Sequence, residues 1–224
     1  MRLGVWFGFF IAALANMSAP AQARLSGSDD SLLIYAVNLI HSRPFKEPVR
    51  GHGIYLGNGA VITAAHVLGR WPGFISNPRV LIAGRELPAK IIKKGSPETT
   101  DLALLSVVES ELPVSLRLRL NPLCREPARA GENVVIVAAH DTAYSQIMWP
   151  QLLPPMYRTN FNTYVRDVGI GGSGSGVFHA GRKCLLGIIT TRLSTSANAN
   201  LSIVSYHFVS AATIAEFIPP EFRF

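Results

Sequence analysis

The sequence predicts an all-β protein of the sandwich or barrel kind, and three observations carry that expectation. Short apolar runs recur along most of the chain, Gly- and Pro-rich turn signals separate them, and helical periodicity is confined to one segment near the end. The roughly 200 residues beyond an N-terminal leader are enough to bury the core of one large β domain or two small ones.

The leader comes first. Arg2, the apolar run from Val5 to Ala15 and the small-residue string Ser18-Ala19-Pro20-Ala21-Gln22-Ala23 have the form of a signal peptide over residues 1–23, cleaved after Ala23. A membrane anchor is the alternative, but the run is shorter than the roughly 18 to 20 apolar residues a bilayer requires. A secreted or periplasmic protein without stable membrane insertion is expected.

Leu25 to Ser31 reads as a flexible lead-in to the apolar run Leu32-Leu33-Ile34-Tyr35-Ala36-Val37. Turn signals then fall at Gly51-His52-Gly53, Gly57-Asn58-Gly59, Trp71-Pro72-Gly73, Ala83-Gly84 and Lys94-Gly95-Ser96-Pro97. Two prolines in the stretch 121–128 interrupt the strand pattern about midway, and a second β unit resumes at Val134-Val135-Ile136-Val137. The segment from His140 to Pro155 reads as a long surface loop. Over 209–218 apolar residues recur at spacings of three and four, which predicts a helix, and Pro219-Pro220 stops it.

Charge and cysteine content exclude several functions. The formal charge is +7, yet Lys and Arg are scattered, with Lys93-Lys94 the densest pair, so nucleic acid is not an expected partner. Cys124 and Cys184 are the two cysteines. An oxidising compartment permits a disulfide between them, with two buried thiols as the alternative. Neither has Cys or His at metal-ligand spacing, so no metal site and no cofactor are expected.

Three blocks carry chemistry. Thr63-Ala64-Ala65-His66-Val67 follows the strand-like Ala60-Val61-Ile62 and sets His66 where a buried strand gives way to a helical turn. Thr100-Asp101 heads the apolar run Leu102-Ala103-Leu104-Leu105; a carboxylate at the edge of a core needs a hydrogen-bond donor, and an imidazole N–H meets that need. A turn-capping role is the plainer alternative for Asp101, and Glu98 is its one close rival, on polar flanks that suggest solvent. In Gly171-Gly172-Ser173-Gly174-Ser175-Gly176-Val177 the glycines permit a tight turn that exposes the Ser173 hydroxyl and gathers backbone N–H groups at one point. A flexible linker does not run straight into Val177-Phe178, and a phosphate loop requires a Gly-Lys-Ser or Gly-Lys-Thr ending that is absent.

Taken in order, T-A-A-H at 63–66, D-L-A-L-L at 101–105 and G-G-S-G-S-G-V at 171–177 resemble the signature blocks of the chymotrypsin clan of serine endopeptidases. The S-G-S run is more similar to bacterial glutamyl-endopeptidase-like and Deg-like members than to digestive trypsins. The likeness covers residues 32 to 218. It implies two six-stranded antiparallel β-barrels and a short C-terminal helix, with residues 24–120 carrying His66 and Asp101 and residues 121–224 carrying Ser173. It also implies a Ser173, His66 and Asp101 triad, an oxyanion hole from the N–H groups of Gly171 and Ser173, and protein or peptide substrates. A catalytically silent binding protein on the same fold and an esterase using the same triad are the rival functions.

Departures from the clan pattern are informative. Gly172 stands where animal trypsin-like enzymes carry the Asp that pairs with a freshly cut N-terminus, so that activation route is closed and the loop must be held by backbone hydrogen bonds and packing from Ile170 and Val177. After Thr190-Thr191, Arg192 replaces a Gly that commonly lets substrate backbone approach, so Thr190 and Arg192 are expected to shape the substrate site. Asp167, six residues before Ser173, matches the position that selects Arg or Lys in trypsin-like members, although some glutamyl-type members carry Asp there without basic specificity. Ile189 stands where glutamyl enzymes usually have His, which argues against Glu selectivity, and His207 reads as an ordinary strand residue.

Overall fold

The computed structural model describes residues 29–43, 46–69, 78–198 and 201–222. The leader of residues 1–23 and the Trp71-Pro72-Gly73 turn signal lie outside the described residues.

Two antiparallel sheets account for most of the chain. The first contains β1 (Ala36–Arg43), β2 (Lys46–Gly57), β3 (Ala60–Ala64), β4 (Arg79–Ile82), β5 (Arg85–Pro88), β6 (Lys90–Lys94) and β7 (Leu102–Ser106), in the order β5-β4-β1-β2-β3-β7-β6. Its two end strands, β5 and β6, are separated by Ala89 alone, so one bent strand joins the sheet's edges and closes it. This is why an expected six-stranded barrel contains seven strands. The second sheet contains β8 (Asn133–Val137), β9 (Thr142–Gln146), β10 (Tyr164–Arg166), β11 (Gly176–His179), β12 (Leu185–Asn198) and β13 (Leu201–Ser210), in the order β10-β13-β12-β11-β8-β9. An antiparallel bridge between Ile147 and Val165 links its ends, supported by Met148 N–H to the Tyr164 carbonyl at 2.9 Å. Closure joins the end strands of each sheet, and the β12–β13 hairpin extends beyond the second barrel as a two-stranded ribbon.

Strand periodicity explains the core. On β3 and β7, Val61, Ala103 and Leu105 face the interior of the first barrel, while the alternating Ala60, Ile62, Leu102 and Leu104 face outward. On β8, Val134 and Ile136 fill the second barrel, and Val135 and Val137 face outward. The outward sets meet each other, with Phe178, Ile188, Ile214 and Phe217, in one layer between the barrels. Strands buried on both faces read as continuous apolar runs, which is how these three appear in the sequence.

The C-terminal helix, Ala211–Phe217, is capped by Ser210, whose Oγ accepts the Thr213 N–H, and it lays Ile214 and Phe217 on the inter-barrel layer. In the core of the second barrel, Cys124 and Cys184 form a disulfide, with Cα atoms 5.1 Å apart. Cys124 N–H also bonds the Leu185 carbonyl, and Asn121 bonds the Leu56 and Tyr55 carbonyls, so the proline-rich stretch is anchored to both sheets.

Three local expectations are corrected. Gly51-His52-Gly53 is no turn but the interior of β2, where the glycines admit the Val67 and Leu39 side chains against the backbone. The stretch from His140 to Pro155 is not one surface loop, because it contains β9, and Ile147 and Met148 are buried where the barrel closes. The apolar run beginning at Leu32 is divided between a 3₁₀ segment, Asp30–Tyr35, and β1.

Candidate functional site

Strand pairing brings His66 and Asp101 together. β3 and β7 run antiparallel with Ala64 opposite Leu102, so the 3₁₀ turn Ala65–Leu68 leaves the sheet beside the residue that precedes β7. Ala65 N–H bonds the Asp101 carbonyl at 3.1 Å, and His66 N–H bonds Asp101 Oδ1 at 3.0 Å. Asp101 reaches this position with φ at +45°, a left-handed conformation that Asp and Asn tolerate better than most residues. Asp101 Oδ2 lies 2.8 Å from His66 Nδ1. A carboxylate accepts only, so the imidazole proton sits on Nδ1 and Nε2 is left as an acceptor. The Ser173 hydroxyl is 2.7 Å from that Nε2. Acid, imidazole and hydroxyl thus form one hydrogen-bonded line, able to withdraw the proton from Ser173 Oγ as it attacks an electrophile.

The hydroxyl is presented by a tight turn. Ser175 N–H bonds the Gly172 carbonyl at 3.0 Å, and Gly174, the third residue of that turn, has φ at +91°, the requirement of a type II turn. The fully buried Ser175 side chain returns a bond, its Oγ accepting Gly172 N–H at 3.1 Å. Gly174 N–H and Ile189 N–H then stitch the turn to β12, at 2.8 Å each. Gly171 has φ at +99°. Among the described residues neither Gly171 N–H nor Ser173 N–H is donated to a protein group, so both are available to an oxyanion. The expected anchors Ile170 and Val177 belong to the second barrel's core, with Ile170 partly buried.

Sequence reasoning missed two supports of this loop, Ser175 and His52. His52 N–H bonds the Ser173 carbonyl at 3.1 Å, its carbonyl accepts from Thr63 Oγ1 at 2.6 Å, and its Nδ1 accepts Ala139 N–H at 3.0 Å. A Cβ on Gly172 would meet the His52 ring at 3.3 Å, so the imidazole occupies space a side chain at 172 would need. A histidine inside a strand between two glycines carries no local sign of this role.

Burial, and secondarily the neighbouring His140, hold the His52 imidazole below the ordinary histidine range. His207, against Thr190 Oγ1 at 3.4 Å and stacked obliquely on Tyr164, is lowered by burial too, with Asp101 opposing the shift. The folded chain therefore binds these protons less readily than the unfolded chain. Stability is full above the unfolded histidine value of about 6.5 and declines as pH falls through it towards the depressed folded values. Tm is expected to drop between about pH 7 and pH 5, and His52→Asn, whose Oδ1 can still accept Ala139 N–H, should reduce that drop. An equally steep decline in the variant would remove His52 from the account.

The specificity candidates also meet. Thr190 offers its carbonyl 3.4 Å from Ser173 Oγ, and Arg192, farther along β12, pairs with Asp167, its Nε at 2.8 Å and Nη2 at 2.7 Å from Oδ2. Glu98 stays exposed in the loop before β7, bonded to Ser96. No cluster of three or more His, Cys, Asp or Glu side chains able to hold a metal occurs among the described residues.

Two closed antiparallel barrels with this line of residues in the cleft between them constitute a chymotrypsin-like fold. Solved structures align accordingly. The active form of the Rv3671c protease from M. tuberculosis is 17% identical with a TM-score of 0.57, covering 92% of this chain and 92% of that one. A serine endoprotease from Yersinia pestis is 18% identical at TM-score 0.58, over 84% of this chain and 62% of its own. The MamO protease domain from Magnetospirillum magneticum is 16% identical at TM-score 0.54, over 84% and 97%. No curated protein matches by sequence. The trypsin-like peptidase domain matches residues 51–188, more than half of the chain, and the protein belongs to that family.

Proposed function

We propose that this protein is an exported serine endopeptidase that hydrolyses peptide bonds in protein substrates through an acyl-enzyme on Ser173. The observation that carries the proposal is the unbroken line from Asp101 Oδ2 through His66 to Ser173 Oγ, with bonds of 2.8 and 2.7 Å. Ser173 Oγ attacks the scissile carbonyl while His66 Nε2 takes its proton and then delivers it to the leaving amine. Asp101 holds the reactive tautomer and stabilises the imidazolium. The N–H groups of Gly171 and Ser173 receive the oxyanion, each contributing about 3 kcal/mol to the transition state. Water then repeats the sequence on the ester and frees Ser173.

The S-G-S run supports a bacterial glutamyl-endopeptidase-like or Deg-like relationship within the family. Export is supported by the leader pattern at 1–23 and by the Cys124–Cys184 bond, which an oxidising compartment maintains. A fluorophosphonate probe tests the mechanism, because phosphorus is attacked as a carbonyl is. The protein is expected to be labelled at Ser173 and Ser173→Ala to be unlabelled. Folded protein that resists the probe, or labelling that survives Ser173→Ala, would count against the reading.

A further inference from the structure

Two segments adjoin Ser173: β12, whose Thr190 carbonyl lies 3.4 Å from Ser173 Oγ, and the loop from Asp167 that leads into Ser173, and the Arg192–Asp167 pair joins the one to the other. Both oxygens of Asp167 are engaged. Oδ1 accepts Gly169 N–H at 2.8 Å, and Oδ2 accepts both Nε and Nη2 of Arg192. The Asp167 side chain is 7% exposed and that of Arg192 is 62% exposed, so the guanidinium covers the carboxylate and is the group an incoming substrate meets. Tyr206 lies directly opposite Arg192 in the β12–β13 register, buried, with its hydroxyl interacting with both charges. Burial first, then the charge of Asp167, raises its phenol pKa, so the hydroxyl stays protonated beside the pair.

We propose that Arg192 determines specificity by filling with its own guanidinium the cation site that Asp167 would otherwise offer, so that the space beside Ser173 rejects Arg and Lys side chains. The assignment rests on Ser173 being the nucleophile. A substrate cation entering here finds no free carboxylate and meets a like charge, whereas an uncharged or acidic side chain meets guanidinium N–H groups that Asp167 does not use. Asp167 is then a latent site for a planar cation, masked by a residue two positions beyond the one that contacts Ser173.

The test uses p-aminobenzamidine, a planar aromatic amidinium whose fluorescence rises on burial, with the wild-type chain, Arg192→Gly and Arg192→Gly/Asp167→Asn. Arg192→Gly is expected to bind it about tenfold or more tightly than wild type, the lower end of what a close charge pair contributes, and the double variant to lose that gain. In parallel, the wild type should cleave poorly after Arg and Lys, and Arg192→Gly should acquire that cleavage. Arg192→Gln, which keeps the bulk and removes the charge, serves if the glycine variant does not fold. Equal binding by wild type and the unmasked variants, or a gain that persists without Asp167, overturns the inference. Fluorophosphonate labelling separates the two readings. Labelled protein with no amidinium gain leaves the nucleophile standing and removes the role of Arg192, and an amidinium gain in unlabelled protein does the reverse.

Discussion

Asp101→Asn is expected to lower kcat for peptide hydrolysis by about 10,000-fold, the size of loss that follows from inverting the imidazole tautomer in a Ser-His-Asp mechanism. The geometry makes this the clean substitution. Asp101 sits at φ +45°, which Asn accepts and Ala does not, so the backbone can stay in place. Two donors point at the carboxylate, His66 N–H on Oδ1 and His66 Nδ1 on Oδ2. An amide has one oxygen for them. If that oxygen keeps the backbone N–H, its NH₂ faces Nδ1 and donates, which makes Nδ1 an acceptor and moves the ring proton to Nε2. Nε2–H then faces Ser173 Oγ and cannot take its proton. KM and Tm should change little, because the turn and its packing persist. Steady-state kinetics with an unfolding curve on the same sample checks both halves, and a loss below about tenfold would mean that Asp101 does not set the tautomer.

Gly174→Ala is expected to destabilise the protein by about 3 kcal/mol or more and to abolish labelling of Ser173. A Cβ at 174 would stand 1.8 Å from the His52 carbonyl oxygen and 2.6 Å from Thr63 Oγ1, on a backbone at φ +91°. The obstruction is backbone of β2 and cannot rotate away. Relief requires the turn to lift off the first barrel, breaking His52 N–H to Ser173 O and carrying Ser173 Oγ away from His66. Gly84→Ala is the control. Its φ is +76°, but nothing lies within 4 Å of the added Cβ. Only conformational strain of about 1 to 2 kcal/mol remains there, with labelling intact. Denaturant unfolding of both variants measures the difference, and similar losses would show that strain rather than the close approach governs position 174.

Much of the site was legible because its parts are local. His66 lies in the turn that follows a fully buried strand, Asp101 heads another, and Gly171 and Gly174, both at positive φ, bracket Ser173. Each signal lies within a few residues, and the order of the three blocks related them. The illegible supports are long-range. His52 reaches Ser173 and Ala139 across the cleft, and its G-H-G surroundings imitate a turn while the glycines in fact admit side chains from Val67 and Leu39. Along the chain Arg192 reads as a residue that shapes the substrate site and Asp167 as a binding carboxylate, and no local pattern pairs the two.

The linear sequence by itself determined the chemical types at the site and the strand ends and tight turn that present His66, Asp101 and Ser173, because strand periodicity, backbone φ and side-chain chemistry are properties of neighbouring residues. The interior of β2 at Gly51-His52-Gly53 and the strand β9 escaped it. Only the tertiary structure decided which groups share a hydrogen bond. Pairing of β3 with β7 sets His66 on Asp101, packing of one barrel on the other sets Ser173 on His66, and pairing of β12 with β13 places Tyr206 opposite Arg192 where that side chain closes over Asp167. Partners 25 to 107 residues apart are set by barrel closure and by the apolar layer between the barrels, which no local pattern encodes.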